Sequence, residues 1–235
     1  MLKLIKKMNK LGKIGYIAST ALFVMLSVLY ICVLAISVCS NAVPMLSIAK
    51  WDWSQEGNYV GLIAGFLAYG VFLLFMIIPR MRHNVNWIMK FTHELTHTLV
   101  ALLFLGKIRE FVVRDRECYV SYQTGPIGYV PITLSPYCIP IYTFMLFPFR
   151  FFGNNEYMII FDVLIAFTYA FHVHSFIRQT RFSQSDIENC GKARSAAFIC
   201  FVHLAVLSLI MAIPRGGVMN ALYRVFWEYP TGILS

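Results

Sequence analysis

Charged residues are scarce in this chain. Only 13% of its 235 residues are Asp, Glu, Lys or Arg, whereas 59% are hydrophobic. Soluble domains carry about twice that share of charge. The composition therefore excludes a disordered chain, and it argues against a water-soluble domain, which needs charge to cover its surface. It predicts an α-helical integral membrane protein with several spans.

Other absences narrow the function further. None of the six cysteines forms a Cys-x-x-Cys pair, and most lie in or beside apolar runs. This usage favours small buried side chains over a disulfide framework. The chain carries a net charge of +9 but has no basic stripe with interleaved aromatics on a polar segment, so we expect no nucleic-acid partner. Its cations lie between apolar runs, where contact with the lipid bilayer and membrane topology explain them better.

The apolar runs predict about five to six membrane spans within one domain, residues 1–235. Five lysines precede the first run, a pattern that places the N-terminus in the cytoplasm. The sequence shows no internal repeat. The runs lie at about 16–39, 59–79, 86–105, 157–177 and 196–214.

Two segments between these runs break the helical pattern. Residues 107–124 mix polar, β-branched and aromatic side chains in partial alternation, which predicts a short β-hairpin. Residues 125–150 hold five of the nine prolines, which a continuous helix tolerates poorly. Non-helical backbone at membrane depth must be buried in protein or line a wet cavity. We therefore expect a broken or re-entrant segment that packs against other helices.

The strongest motif is His93-Glu94-Leu95-Thr96-His97, within the third apolar run. On a helix, positions i and i+4 share one face, so both imidazoles can reach one zinc ion. Glu94 follows the first histidine directly, where it can act as general base on the water that zinc activates. Ionisable groups at this depth need compensation, which a divalent cation supplies. The alternative is a metal-free polar cluster hydrogen-bonded between helices.

The stretch FTHELTHTLVALLFLGKIREFVV, residues 91–113, resembles the first active-site segment of the site-2 protease family of intramembrane zinc metalloproteases. The resemblance covers roughly residues 80–191 and is closest to the small bacterial variants. It implies a zinc cofactor, a site within a span, and a short β element after the motif. It also implies that an aspartate from a later motif is the third zinc ligand. The bacterial resemblance implies a location in the cytoplasmic membrane.

The family's later motif, Asn-Pro-Asp-Gly or Leu-Asp-Gly, is missing from this sequence. By analogy with an aspartate near a loop–helix junction, Asp186 is the first choice for the third ligand. The alternative for Asp186 is a solvated loop residue or a helix N-cap. His172 is the second choice, since histidine is a common zinc ligand; otherwise it forms an interhelical hydrogen bond. Asp162, an intramembrane carboxylate, is the third choice.

The motif and the resemblance together predict an intramembrane zinc endopeptidase. Its partners would be the lipid bilayer and a membrane-protein or peptide substrate. Glu94 would be the catalytic residue, and His93, His97 and Asp186 would hold the metal. The alternatives are a non-catalytic metal-binding or scaffold protein and a transporter, although the inverted repeats of many transporters are not visible.

Overall fold

A computed structural model describes residues 10–46, 59–114, 117–152, 157–181 and 183–228. Three of the lysines behind the predicted N-terminal topology, at positions 3, 6 and 7, lie outside the described residues. The described residues form mainly α-helices, with one two-stranded sheet among them. The helices are α1 Lys10–Leu46, α2 Val60–Phe75, α3 Pro79–Leu103, α4 Pro126–Leu134, α5 Ile141–Phe152, α6 Met158–Gln179, α7 Ser185–Cys190, α8 Lys192–Ala212 and α9 Gly217–Tyr223. The strands are β1 Lys107–Val113 and β2 Cys118–Gln123, and short 3-10 turns follow at Ser135–Tyr137 and Ile213–Arg215.

The helices support a membrane protein but do not confirm five to six spans. Within the described ranges, only α6 and α8 are long and apolar enough to cross a bilayer, and a third span results if a bent helix pair counts as one. The apolar part of α1, Thr20–Ile36, and the whole of α2 are shorter. Helix α3 is long enough, but its first half, PRMRHNVNW, is polar. The prediction of five to six spans counted apolar runs in the sequence, and the boundaries of these runs differ from those of the helices.

The predicted hairpin is confirmed. Strands β1 and β2 pair antiparallel, from Lys107 opposite Gln123 to Val113 opposite Cys118. The register shifts between Ile108 and Glu110, a β-bulge that bends the strand. The hairpin packs against α3, which carries the histidine motif.

The proline-rich segment is broken, as predicted. Residues 128–137, which are most of α4 and the following turn, meet α5 at an angle of 90°. Pro140 lies at the break and cannot donate a backbone hydrogen bond there. The turn Ser135–Tyr137 packs against α3. The bend therefore brings an irregular stretch of backbone up to the helix with the histidine motif.

A second region is held by close helix packing. Helix α2 packs along α6, and α1 packs along α8. Gly61 and Gly65 stand one turn apart on α2 in a Gly-x-x-x-Gly arrangement, which lets two helix backbones approach closely. A Cβ at Gly61 would lie 2.8 Å from Cβ of Asp162, and one at Gly65 would overlap the carbonyl oxygen of Val163 on α6. No larger residue fits at either position without moving the helices apart.

Candidate metal centre

Three side chains from two helices converge at one point. Ligand atoms of His93, His97 and Asp186 all lie within 4.8 Å of one another. The two histidines stand on adjacent turns of α3, and their ring centroids are 5.1 Å apart. Asp186 lies in the first turn of the short helix α7. The structure thus brings the motif and the first-choice aspartate together, although 89 residues separate His97 from Asp186.

Helix α7 reaches α3 because the broken segment lies beside it. Helix α7 packs against α4 and against the start of α8. The buried side chain of Ile187 belongs to a cluster that includes Leu134 and Tyr137 of the broken segment. Apolar burial of the residue next to Asp186 therefore fixes the position of the carboxylate.

A backbone carbonyl fixes the tautomer of His97. Nδ1 of His97 lies 2.8 Å from the carbonyl oxygen of Ile132. Because a carbonyl only accepts, Nδ1 carries the proton and the lone pair of the neutral ring is on Nε2. In metal-binding histidines, the ring nitrogen that does not bind the metal almost always donates such a hydrogen bond.

The donor set suits a divalent metal ion such as zinc. Two imidazoles and one carboxylate are the donor set of several catalytic zinc sites, which leave a fourth position open. Nε2 of His97 lies 3.7 Å from Oδ2 of Asp186, which is too long for a hydrogen bond. Two ligands of a tetrahedral zinc ion stand about 3.3 Å apart. The residues present therefore match such an ion in chemistry, and this one pair is close to the ligand spacing.

Tyr137 also contacts the Asp186 carboxylate. Its hydroxyl donates a hydrogen bond of 3.0 Å to Oδ2 of Asp186, and its ring lies 5.2 Å from that of His93. Burial raises the pKa of the Asp186 carboxyl, but the neighbouring His97 and Tyr137 side chains outweigh burial and hold the pKa below its ordinary value. The Asp186 carboxyl is therefore in the charged form, which binding of a cation requires. No sequence motif pointed to Tyr137, since only the bend in the broken segment brings it here.

Glu94 is buried beside the hairpin rather than within the ligand cluster. Its carboxyl lies near the backbone of Val120 on β2. Its own backbone carbonyl accepts a hydrogen bond of 2.9 Å from the Thr98 hydroxyl. The carboxyl that the motif predicts to be the base thus lies between α3 and the hairpin.

Similarity to known proteins leaves this centre unassigned. Comparisons with protein-family models, curated proteins and solved structures find no match.

The two alternative ligands have other surroundings. Asp162 forms a buried ion pair with Arg150, whose Nε lies 2.7 Å from Oδ1. This pair joins α5 to α6 and occupies the carboxylate. His172 lines a narrow cavity beside His93, with room for about one water molecule. Its ring faces His203 at 5.4 Å, and its Nε2 has no hydrogen-bond partner among the described residues. Neither side chain belongs to the cluster of ligand atoms.

Proposed function

We propose that this chain is an intramembrane zinc metalloendopeptidase of the site-2 protease type, which cleaves peptide bonds in membrane-protein substrates. We further propose that it resides in a bacterial cytoplasmic membrane with its N-terminus in the cytoplasm. The observation that carries the proposal is the convergence of His93, His97 and Asp186 within 4.8 Å, next to the glutamate of the motif. A non-catalytic polar cluster would need neither an open ligand position nor that glutamate.

The three ligands would hold zinc through the lone pair on Nε2 of His97, a ring nitrogen of His93 and the carboxylate of Asp186. When bound, zinc supplies the Lewis acidity that activates a water molecule near neutral pH and polarises a peptide carbonyl. The hydrogen bonds from His97 to Ile132 and from Tyr137 to Asp186 hold two of these ligands in position. Such support commonly contributes about 10- to 100-fold in metal affinity.

Glu94 would move the protons of the reaction. As a carboxylate it accepts a proton from the attacking water, whose oxygen forms a bond to the peptide carbonyl carbon. It then returns that proton to the departing amine nitrogen as the carbon–nitrogen bond breaks. The carboxyl lies near the backbone of Val120 on the hairpin, at the side of α3 that carries the motif.

The broken segment suits a substrate that arrives within the membrane. A peptide bond in a transmembrane helix has its amides hydrogen-bonded inside the helix, so cleavage requires local unwinding and water. The turn Ser135–Tyr137 and the hairpin both pack against α3. They surround the centre with polar backbone, which tolerates water better than a continuous apolar helix bundle does.

The metal is tested by its stoichiometry in detergent-purified protein. We expect about one zinc per chain by inductively coupled plasma mass spectrometry, and its loss in His97→Ala and in Asp186→Ala. His174→Ala is a matched control. His174 forms a hydrogen bond of 2.7 Å with Tyr69 and does not belong to the ligand cluster, so this variant should keep its zinc. A folded wild-type protein without zinc would contradict the proposal.

The catalytic role is tested separately with Glu94→Gln. The variant should keep its zinc and cleave a model membrane substrate at least about 100-fold more slowly, the usual contribution of a general base. Unchanged cleavage would exclude Glu94 as the base. Zinc in the wild type with no cleavage of any membrane substrate tried, and no phenotype for Glu94→Gln, would favour the non-catalytic metal-binding protein instead.

A further inference from the structure

A second cavity, which shares no residue with the metal centre, lies between the first half of α3 and the last turn of α6. Its volume is about 400 Å³, within the range of about 300–1,000 Å³ typical of small-ligand sites. The side chains that line it are mainly polar or cationic. They include His83, Asn86, Trp87, Lys90, Arg178 and Gln179.

The charge of this cavity has one sign. Lys90 and Arg178 contribute two cations, and His83 adds a group that becomes cationic on protonation. No carboxylate is among the lining side chains of the described residues. Glu94 follows Lys90 by one turn on α3 but does not line the cavity. A cavity of this kind attracts an anion and discriminates against cations.

The donors suit a phosphate group in particular. The Arg178 guanidinium offers a planar fork that matches two phosphate oxygens, and the Lys90 ammonium adds a point charge. The amide side chains of Asn86 and Gln179 supply further N–H donors. A single carboxylate would leave several of these donors without an acceptor.

The cavity also lies at the edge of the membrane. Arg178 belongs to the last turn of α6, one of the two helices long enough to span a bilayer. Trp87 is 41% exposed and its ring stacks on Phe91 at 5.6 Å. Tryptophan and arginine at a helix end mark the headgroup region. Ile177, the residue before Arg178, is 70% exposed and offers apolar surface next to the cations.

From this combination we propose that the cavity binds the phosphate headgroup of an anionic phospholipid, with the acyl chains lying along the exposed apolar face near Ile177. Basic pockets between membrane helices bind lipid headgroups in this manner. Free phosphate shares the charge chemistry but has no use for the apolar surface. An acidic peptide would not match the fork geometry as well. The site is independent of the metal centre and of the proposed protease activity.

The experiment measures lipid retention by native mass spectrometry of the full chain. Detergent-purified protein is titrated with phosphatidylglycerol and with phosphatidylcholine of equal chain length. We expect selective binding of phosphatidylglycerol, and binding at least about tenfold weaker in the double variant Lys90→Gln/Arg178→Gln, since each cation near a membrane surface contributes about fivefold. The double variant Lys107→Gln/Lys192→Gln removes the same charge from exposed positions elsewhere and should bind as the wild type does.

A charge-preserving pair, Lys90→Arg/Arg178→Lys, guards against simple misfolding and should retain selective binding. Equal binding of the two lipids overturns the proposal, as does an equal loss in the Lys107/Lys192 control. Competition arms with inorganic phosphate and with a hexaglutamate peptide separate the sources. Displacement of the lipid by either competitor at comparable concentration would also overturn it.

Discussion

The metal centre and the α2–α6 contact are built on different principles. The centre assembles polar side chains from α3 and α7, and the broken segment supports them through the Ile132 carbonyl and the Tyr137 hydroxyl. The α2–α6 contact uses glycines that let two helix backbones touch, with one buried ion pair beside them. In the metal centre, short elements place side chains in directions that a single long helix does not allow. In the α2–α6 contact, long regular helices pack closely because little side-chain volume lies between them.

We therefore expect the α2–α6 contact to determine the stability of the fold and the metal centre to determine metal binding. Damage to the α2–α6 region should lower the free energy of unfolding while the folded molecules still bind metal. Damage to the centre should remove metal while the helices stay packed. The predictions below test this separation, beginning with the largest effect.

Asp162→Asn should destabilise the protein most. The substitution keeps the shape of the side chain but leaves the buried Arg150 guanidinium without its counter-charge, at a cost of about 3–5 kcal/mol. The measurement is the free energy of unfolding in mixed detergents. Glu188→Gln is the matched control, because it breaks the exposed pair with Lys192 and should change stability by less than about 1 kcal/mol.

Zinc bound per folded chain should stay the same in Asp162→Asn. If zinc is lost from molecules that remain folded, the third-choice carboxylate contributes to the centre, and the two regions are not separate.

Gly65→Leu should destabilise the protein by about 1–3 kcal/mol, the usual cost of forcing volume into a packed contact. The added side chain would meet the Val163 carbonyl and the Ala166 methyl group on α6. Gly70→Ala, on the same helix, is the control, since nothing lies within 4 Å of a Cβ there. That control should be neutral or slightly stabilising because alanine favours a helix. Equal loss from both substitutions would mean that the close approach at Gly65 does not determine the effect.

Tyr137→Phe should act on the metal centre alone. It removes the hydrogen bond to Asp186 without changing the ring, and loss of such a partner lowers metal affinity by about 10-fold or more. Competition with a zinc chelator measures this affinity. Tyr122→Phe is the control, because its hydroxyl bonds to Thr133 rather than to a ligand. An unchanged affinity in Tyr137→Phe would make that hydrogen bond incidental.

The sequence predicted features that depend on local spacing. The two histidines share a helix face because they are four residues apart, and the hairpin follows from the alternation at 107–124. The break at the proline-rich segment follows from the chemistry of proline. These inferences needed no knowledge of tertiary structure.

The features that sequence reasoning missed depend on how separate helices pack in three dimensions. The pairing of Arg150 with Asp162 joins two successive helices, and the support of Asp186 by Tyr137 depends on a 90° bend. The span count was not confirmed for a related reason. Apolar runs and helix lengths differ wherever a helix such as α3 combines a polar first half with an apolar second half.

His172→Phe should have the smallest effect on the centre, and it sharpens the comparison most. His172 is buried beside His93, yet its Nε2 has no partner among the described residues. To act as a ligand, that nitrogen would have to lie near the ligand atoms of His93, His97 and Asp186. The structure does not place it in that cluster. Phenylalanine fills similar space and removes an unsatisfied polar atom, so stability should be unchanged or slightly higher. Zinc content should equal that of the wild type; its loss in the folded variant would make His172 a ligand and extend the metal centre onto α6.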